Sequence, residues 1–332
     1  MLELIAGFRA SRAIHVAARL KLADALRDGP MDASTIAKAT ATHGPSLERL
    51  LRALAGLGVL THDAEGRFAL TPLGATLDTS APGSLHAWAE VALGGEHYAA
   101  WGELEHGVRH GGIPFENVFG TDVWNYRRRH AERGTLFSQA MASLASTFDD
   151  ELLAAPAFGN VRRLVDVGGG DASVLLALME RHPAIRGIVF DLPHVVDAAR
   201  ARIAEARFTD RCSVIAGDAF ESVPRGDAYL LCRVLHDWDD ACARAILESC
   251  GRAGAPGARL FVIERLLPQR FDASQPARAA AFADLAMMVM TGGRERRADE
   301  FADLLGSAGF QMLRVTQSAS GLALIEAAAV KP

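Results

Sequence analysis

The chain has 332 residues, 50% hydrophobic and 23% charged, with a formal net charge of -5. That profile excludes a disordered or collagen-like chain, and the mildly acidic balance gives no attraction for nucleic acid or an anionic membrane. The length predicts two domains.

Leu4, Ile5, Phe8, Ile14, Val16, Leu20 and Leu22 recur at near-helical spacing, so one or two amphipathic helices open the chain, and their apolar face needs a partner. Asp32-Ala-Ser-Thr reads as a capped helix start, and Leu47, Leu50, Leu51, Leu54 and Leu57 as a second helix ended by Gly56 and Gly58. Two short strands around Asp63-Ala-Glu-Gly66 then complete a winged-helix pattern. Such modules often bind DNA, which requires a basic face. Residues 1–110 hold ten Lys and Arg against twelve Asp and Glu, a net of -2, so the module reads as structural or dimerising, with no nucleic-acid partner.

Residues 85–160 have a helical pattern interrupted by a loop at Gly111-Gly-Ile-Pro-Phe115. After Gly159 strands and helices alternate: strands at 164–167, 187–191, 213–216, 228–231 and 259–264, with helices at 173–181, 195–206 and 241–253 between them. This alternation predicts a doubly wound α/β sheet, and a helix at 299–305 with strands near 311–315 and 322–327 would close it with a hairpin. The expected division is 1–100 for the winged-helix-like dimerisation domain and 101–332 for the catalytic domain, with 101–160 as helical linker and pocket segment. Cys212, Cys232, Cys242 and Cys250 lack metal-site spacing and read as reduced thiols of a cytoplasmic protein. No apolar run approaches the ~18 residues of a membrane span, so no membrane partner is expected.

Groups suited to a nucleotide-type cofactor end three successive strands. Gly168-Gly-Gly170 lets backbone amides approach a ligand at a helix N-terminus. Asp191, 21 residues beyond Gly170, either accepts both ribose hydroxyls or caps the helix after Pro193. Asp218 suits an adenine amino group, with Ala219 and Phe220 beside it. Ser173 stands at the third glycine of the dinucleotide fingerprint, which disfavours NAD, whereas the strand acid Asp166 suits a cofactor with an amino-acid tail.

The fourth strand runs into Arg233-Val-Leu-His236-Asp237-Trp238-Asp239-Asp240. A neutral His236 can accept a proton near pH 7, and Glu264 and Glu295 are acids able to orient the ring and stabilise its charged form. The acids Asp237, Asp239 and Asp240 also raise a magnesium site, but two of them read better as helix N-terminal acids, so no metal is expected.

The combination Leu-Val-Asp-Val-Gly-Gly-Gly (164–170), Phe-Asp-Leu-Pro-His (190–194), Gly-Asp-Ala-Phe (217–220), His-Asp-Trp-Asp-Asp (236–240) and Gly-Gly-Arg-Glu (292–295) resembles the S-adenosylmethionine-dependent small-molecule O-methyltransferases, the plant caffeate and bacterial polyketide or phenazine type. The resemblance covers nearly the whole chain. It implies that Gly168, Asp191, Asp218 and Ala219 bind S-adenosyl-L-methionine, with Asp166, Gly170, Phe220 and Arg233 also at the cofactor, and S-adenosyl-L-homocysteine as product. It further implies that His236 is the general base, adjoined by Asp237 and flanked by Glu264 and Glu295. Phe137, Met141 and Trp238 would line a pocket for a small aromatic or polyketide-like acceptor, and the N-terminal helices would interlock two subunits. Nitrogen or sulfur methylation, and a relative that binds the same cofactor without transferring methyl, are the alternatives. The sequence departs from the family twice. Asp171-Ala172 follows the glycines, adding negative charge near the cofactor, and Cys232 stands where plant members often have lysine, so one cofactor contact is lost or moves to Arg233.

Overall fold

In the computed structural model, which describes residues 1–145, 150–255 and 257–330, the chain divides into two units. One is Met1–Gly102 with Arg129–Thr147, the other Glu103–Arg128 with Phe148–Pro332. The sequence suggests a single boundary at residue 100. The chain instead returns to the first unit, because the helix Ala131–Ala145 packs Leu136, Phe137 and Met141 against Ala87 and Val91. Residues 146–149, inside the stretch expected to be helical, lie outside the described residues.

In the first unit the helix Leu2–Arg19 buries Ala17 and Ala18 and leaves Leu2, Leu4, Ile5 and Phe8 exposed. Asp32 starts the helix Ala33–Ala39 by accepting the backbone N–H groups of Ser34 and Thr35 at 2.9 and 3.0 Å. Pro45 opens the helix Gly44–Gly56, which sends Leu47, Leu51 and Leu54 into a core with Ile36 and Phe68. Three short antiparallel strands, β1 (Met31–Asp32), β2 (Leu60–His62) and β3 (Arg67–Leu70), pair in the order β1-β3-β2. The first of these, two residues long, has no counterpart in the sequence reading.

The second unit is built on a seven-stranded sheet. Its strands are β4 (Arg163–Val167), β5 (Arg186–Asp191), β6 (Cys212–Ala216), β7 (Ala228–Cys232), β8 (Arg259–Arg265), β9 (Phe310–Gln317) and β10 (Leu322–Ala329). Their order is β6-β5-β4-β7-β8-β10-β9, with β6 to β8 parallel and the final hairpin antiparallel. The central strands are largely apolar and buried on both faces, as parallel strands between helices require, with Asp166 in β4 and Glu264 in β8 as buried exceptions. Tyr229 and Leu231 face one core with Ile246 and Phe301, while Leu230 faces the other with Leu175 and Leu178. Chain order reverses between β4 and β7. The crevice beyond the carboxyl ends of those two strands is where such sheets bind ligands. A 16-residue helix, Gln275–Met290, has no clear sign in the sequence, because its run of alanines and methionines offers no polar face to mark a period.

Candidate functional site

At the end of β4 the chain turns through Gly168 at φ +74° and Gly170 at φ +56°, backbone that glycine adopts without strain. A Cβ on Gly169 would stand 2.7 Å from Asp166 Oδ2. Asp166 itself is buried, and neither carboxylate oxygen has a hydrogen-bond partner among the described residues. Burial first, and then the charges of Asp191 and Asp171, push its pKa up to about 8.

Asp191 ends β5 and ties two strands together. Its Oδ2 accepts the Gly170 N–H at 2.8 Å and its Oδ1 the Leu192 N–H at 2.7 Å. The helix after Pro193 has Val195 at its N-cap, so Asp191 does not cap it. Burial pushes this carboxyl up, against the pull of the two amides. Beyond β6, Asp218 Oδ1 accepts the Phe220 N–H at 2.9 Å, and Ala219 and Phe220 pack against the sheet core. Asp171, expected to place charge beside a cofactor, has that charge met elsewhere: it accepts the Ser173 N–H at 3.1 Å and pairs with Arg202 at 2.8 Å.

β7 leads into Arg233, which holds the left-handed backbone at φ +55°, and then into the short turn Leu235–Asp237 that carries His236. Glu264, fully buried in β8, has one oxygen under this turn: Oε1 accepts the N–H groups of Val234, Leu235 and His236 at 3.0, 2.9 and 3.3 Å. His236 Nδ1 lies 3.0 Å from Glu295 Oε1 and 3.5 Å from Glu264 Oε2. Among the described residues, Nε2 is left with only Asp237 Oδ1 at 3.9 Å. Burial favours the neutral ring, but Glu264, Asp237 and Glu295 outweigh it and raise His236 to about 9. Burial likewise pushes Glu264 and Asp237 above the usual carboxylate range.

Beside this turn Trp238 stacks on Trp124 with centroids 6.4 Å apart and meets the edge of Phe220 at 4.8 Å. The stacked pair of indoles, with Phe220 set edge-on against it, therefore joins the ends of β6 and β7. Phe137 and Met141 lie in the other unit, packed as described above.

Two residues with no sign in the sequence hold the turn and the acid facing it. Arg296, 1% exposed, donates to the carbonyls of Leu235 and Trp238, each at 2.9 Å. Asp284 accepts the Glu295 N–H at 2.9 Å. Four arginines lie within residues 278–297, and nothing local marks which is buried.

Of the acids that raised a metal, Asp239 caps the helix Asp240–Ala253 by accepting the Cys242 N–H, and Asp240 pairs with Arg296 at 2.8 Å. The ligand atoms of His236, Glu264 and Glu295 all lie within 4.8 Å of one another. An imidazolium between two carboxylates accounts for that spacing.

These features fit S-adenosylmethionine on the structure's own terms. Asp166 is an unpartnered buried carboxylate that would hold an ammonium, the glycine turn at 168–170 leaves room for the amino-acid tail, and Asp191 and Asp218 would hold the ribose and the adenine.

Comparison with known proteins gives the same direction. The profile of the O-methyltransferase domain matches residues 101–311, and that of the O-methyltransferase dimerisation domain matches residues 2–80. A phenazine O-methyltransferase of Lysobacter antibioticus is 38% identical over 328 residues, covering 98% of this chain and 95% of that protein. A phenazine-1-carboxylate N-methyltransferase of Pseudomonas aeruginosa is 31% identical over 316 residues, covering 95% and 92%. The crystal structure of an O-methyltransferase from neocarzinostatin biosynthesis, in complex with S-adenosylmethionine and 2-hydroxy-5-methyl naphthoic acid, superposes with a TM-score of 0.83 at 31% identity, covering 97% and 96% of the two chains.

Proposed function

The chain belongs to the S-adenosylmethionine-dependent O-methyltransferases, and on that premise we propose that it methylates a hydroxyl of a flat, small aromatic acceptor with His236 as the general base and no metal. The observation that carries this reading is the division of labour on one ring: Nδ1 is engaged by Glu295 and Glu264, and among the described residues Nε2 has no partner closer than 3.9 Å.

Bound S-adenosylmethionine supplies an electrophilic methyl group. The chain's own part is to position the acceptor and take its proton. An ordinary imidazole of pKa ~6.5 lies ~3.5 units below a phenol of ~10, a gap of about 5 kcal/mol. With His236 raised to about 9, the gap shrinks to roughly one unit, about 1.4 kcal/mol. The two glutamates thus stabilise the imidazolium that proton transfer creates, and the buried Glu264 also fixes the backbone of the turn that presents it. The acceptor would lie against Trp238 and Trp124. Asp166, Gly168, Gly170, Asp191, Asp218, Ala219, Phe220 and Arg233 would hold the cofactor.

We also infer a homodimer. Its support is the exposed apolar face of Leu2–Arg19 within a segment that matches the dimerisation domain. The four cysteines are unpaired, two of them buried, which suits a reducing cytoplasm.

The test begins with calorimetric titration of S-adenosylhomocysteine beside NADH, followed by a panel of hydroxyphenazines, hydroxynaphthoates and hydroxybenzoates with their amino counterparts, read by methyl mass gain. Binding of S-adenosylhomocysteine alone and methylation of the hydroxyl compounds support the reading. Gain only on the amines moves it to nitrogen, and binding without any gain moves it to a non-methylating relative.

A further inference from the structure

We propose that Arg296 is a positioning residue that sets the register between His236 and Glu295. This inference rests on His236 being the base. Glu295 is held from both sides by its chain neighbours. The Arg294 N–H donates to the His236 carbonyl at 2.9 Å. On the other side the Arg296 guanidinium spans the turn, donating to Leu235 O and Trp238 O at 2.9 Å each and to Asp240 Oδ1 through Nε at 2.9 Å. The base therefore sits between two carbonyls gripped by one planar group, and the acid that binds its ring is the residue immediately before that group's own, Glu295.

The local sequence is shaped to this docking. A Cβ on Gly293 would stand 2.0 Å from the His236 carbonyl oxygen, so the strap lies against the turn only with glycine there. The Arg296 carbonyl accepts the Leu267 N–H at 3.0 Å, anchoring the strap just beyond β8. Burying a guanidinium is costly unless each donor finds an acceptor. Here two acceptors are backbone carbonyls of the catalytic turn and the third is the Asp240 carboxylate, a set which a shorter or single-pointed cation cannot reach together.

The experiment uses full-length enzyme labelled with [13Cε1]-histidine and saturated with S-adenosylhomocysteine, as wild type, Arg296→Lys, Arg296→Gln, Asp240→Asn and His236→Gln; the last assigns the His236 signal. Both Arg296 variants are expected to keep the S-adenosylhomocysteine dissociation constant within about threefold. Their His236 titration midpoint should fall by about one pH unit, because the Glu295 hydrogen bond to the charged ring loosens. Turnover of the best acceptor from the panel above should fall roughly tenfold to a hundredfold while its KM stays near wild type, since geometry at the reacting atoms is what is lost. Asp240→Asn keeps an oxygen that can accept from the Arg296 guanidinium and leaves both carbonyl contacts in place, so it should move the midpoint and turnover far less than the Arg296 variants do. An unmoved midpoint with wild-type turnover in both Arg296 variants overturns the proposal. So does Asp240→Asn reproducing their effect, or failure of both Arg296 variants to bind S-adenosylhomocysteine, which would make Arg296 a support of the whole fold. Wild-type turnover in His236→Gln would instead overturn the base on which the inference rests.

Discussion

His236 Nδ1 lies 3.0 Å from Glu295 Oε1, on a ring whose other nitrogen meets no partner inside 3.9 Å among the described residues. The acid fixes which nitrogen faces an acceptor, and it also stabilises the ring once it has taken a proton. His236→Gln keeps the side-chain length and removes the base. Turnover should fall roughly 10²–10⁴-fold, the usual worth of a general base, with S-adenosylhomocysteine binding near wild type by calorimetry. Unchanged turnover would mean that positioning alone drives the reaction.

The same ion cluster sets the pH dependence. His236 is held protonated below about 9 by Glu264, Asp237 and Glu295 against its burial, so the base form accumulates only as pH rises. The rate at limiting acceptor should climb about tenfold per pH unit from neutrality and level off near pH 9. Glu295→Gln removes one of the charges that raise the ring, so the rising limb should move to lower pH and the plateau should drop. A limb that stays in place would show that Glu295 does not stabilise the imidazolium.

The exposed face of the first helix gives a prediction about assembly. Leu4, Ile5 and Phe8 are 66%, 66% and 55% exposed, an apolar stripe that a second copy would cover. Light scattering should give twice the 35.4 kDa of one chain for the wild type, whereas Ile5→Asp with Phe8→Asp should give one chain's mass with unchanged far-ultraviolet circular dichroism. A wild-type monomer would leave that face without its proposed partner.

The strands and the residues at their ends were legible because each rests on local information: apolar runs such as Ala228–Leu231, and acids placed where the sheet exposes its carboxyl edge. Asp191, for which the sequence left two roles open, does not cap the helix after Pro193 and instead bonds the glycine turn, a contact that depends on the β4–β5 pairing. What could not be read depends on distant partners. Arg202 neutralises Asp171 across 31 residues, and Arg296 grips a turn about 60 residues earlier. Pro114 and Phe115, expected in a loop, open the helix Pro114–Phe119, with Pro114 at a first-turn position where its missing N–H costs nothing.

Asp166 leads to a prediction about protons. Its carboxyl, raised to about 8 by burial and by Asp191 and Asp171, is mostly protonated at pH 7. An ammonium arriving beside it favours the charged form and pulls the pKa back down. Binding should therefore release a proton: about 0.9 per site at pH 7 and about 0.1 at pH 9, as fractions protonated about a pKa of 8 require. Calorimetric titration of S-adenosylhomocysteine in buffers of different ionisation enthalpy measures this directly. In Asp166→Asn the release at pH 7 should vanish. Affinity should fall roughly tenfold to a hundredfold, the worth of a hydrogen bond to a charged group. Release that persists unchanged in Asp166→Asn would assign the proton to another group, and the ammonium would then have to be held elsewhere at the strand ends.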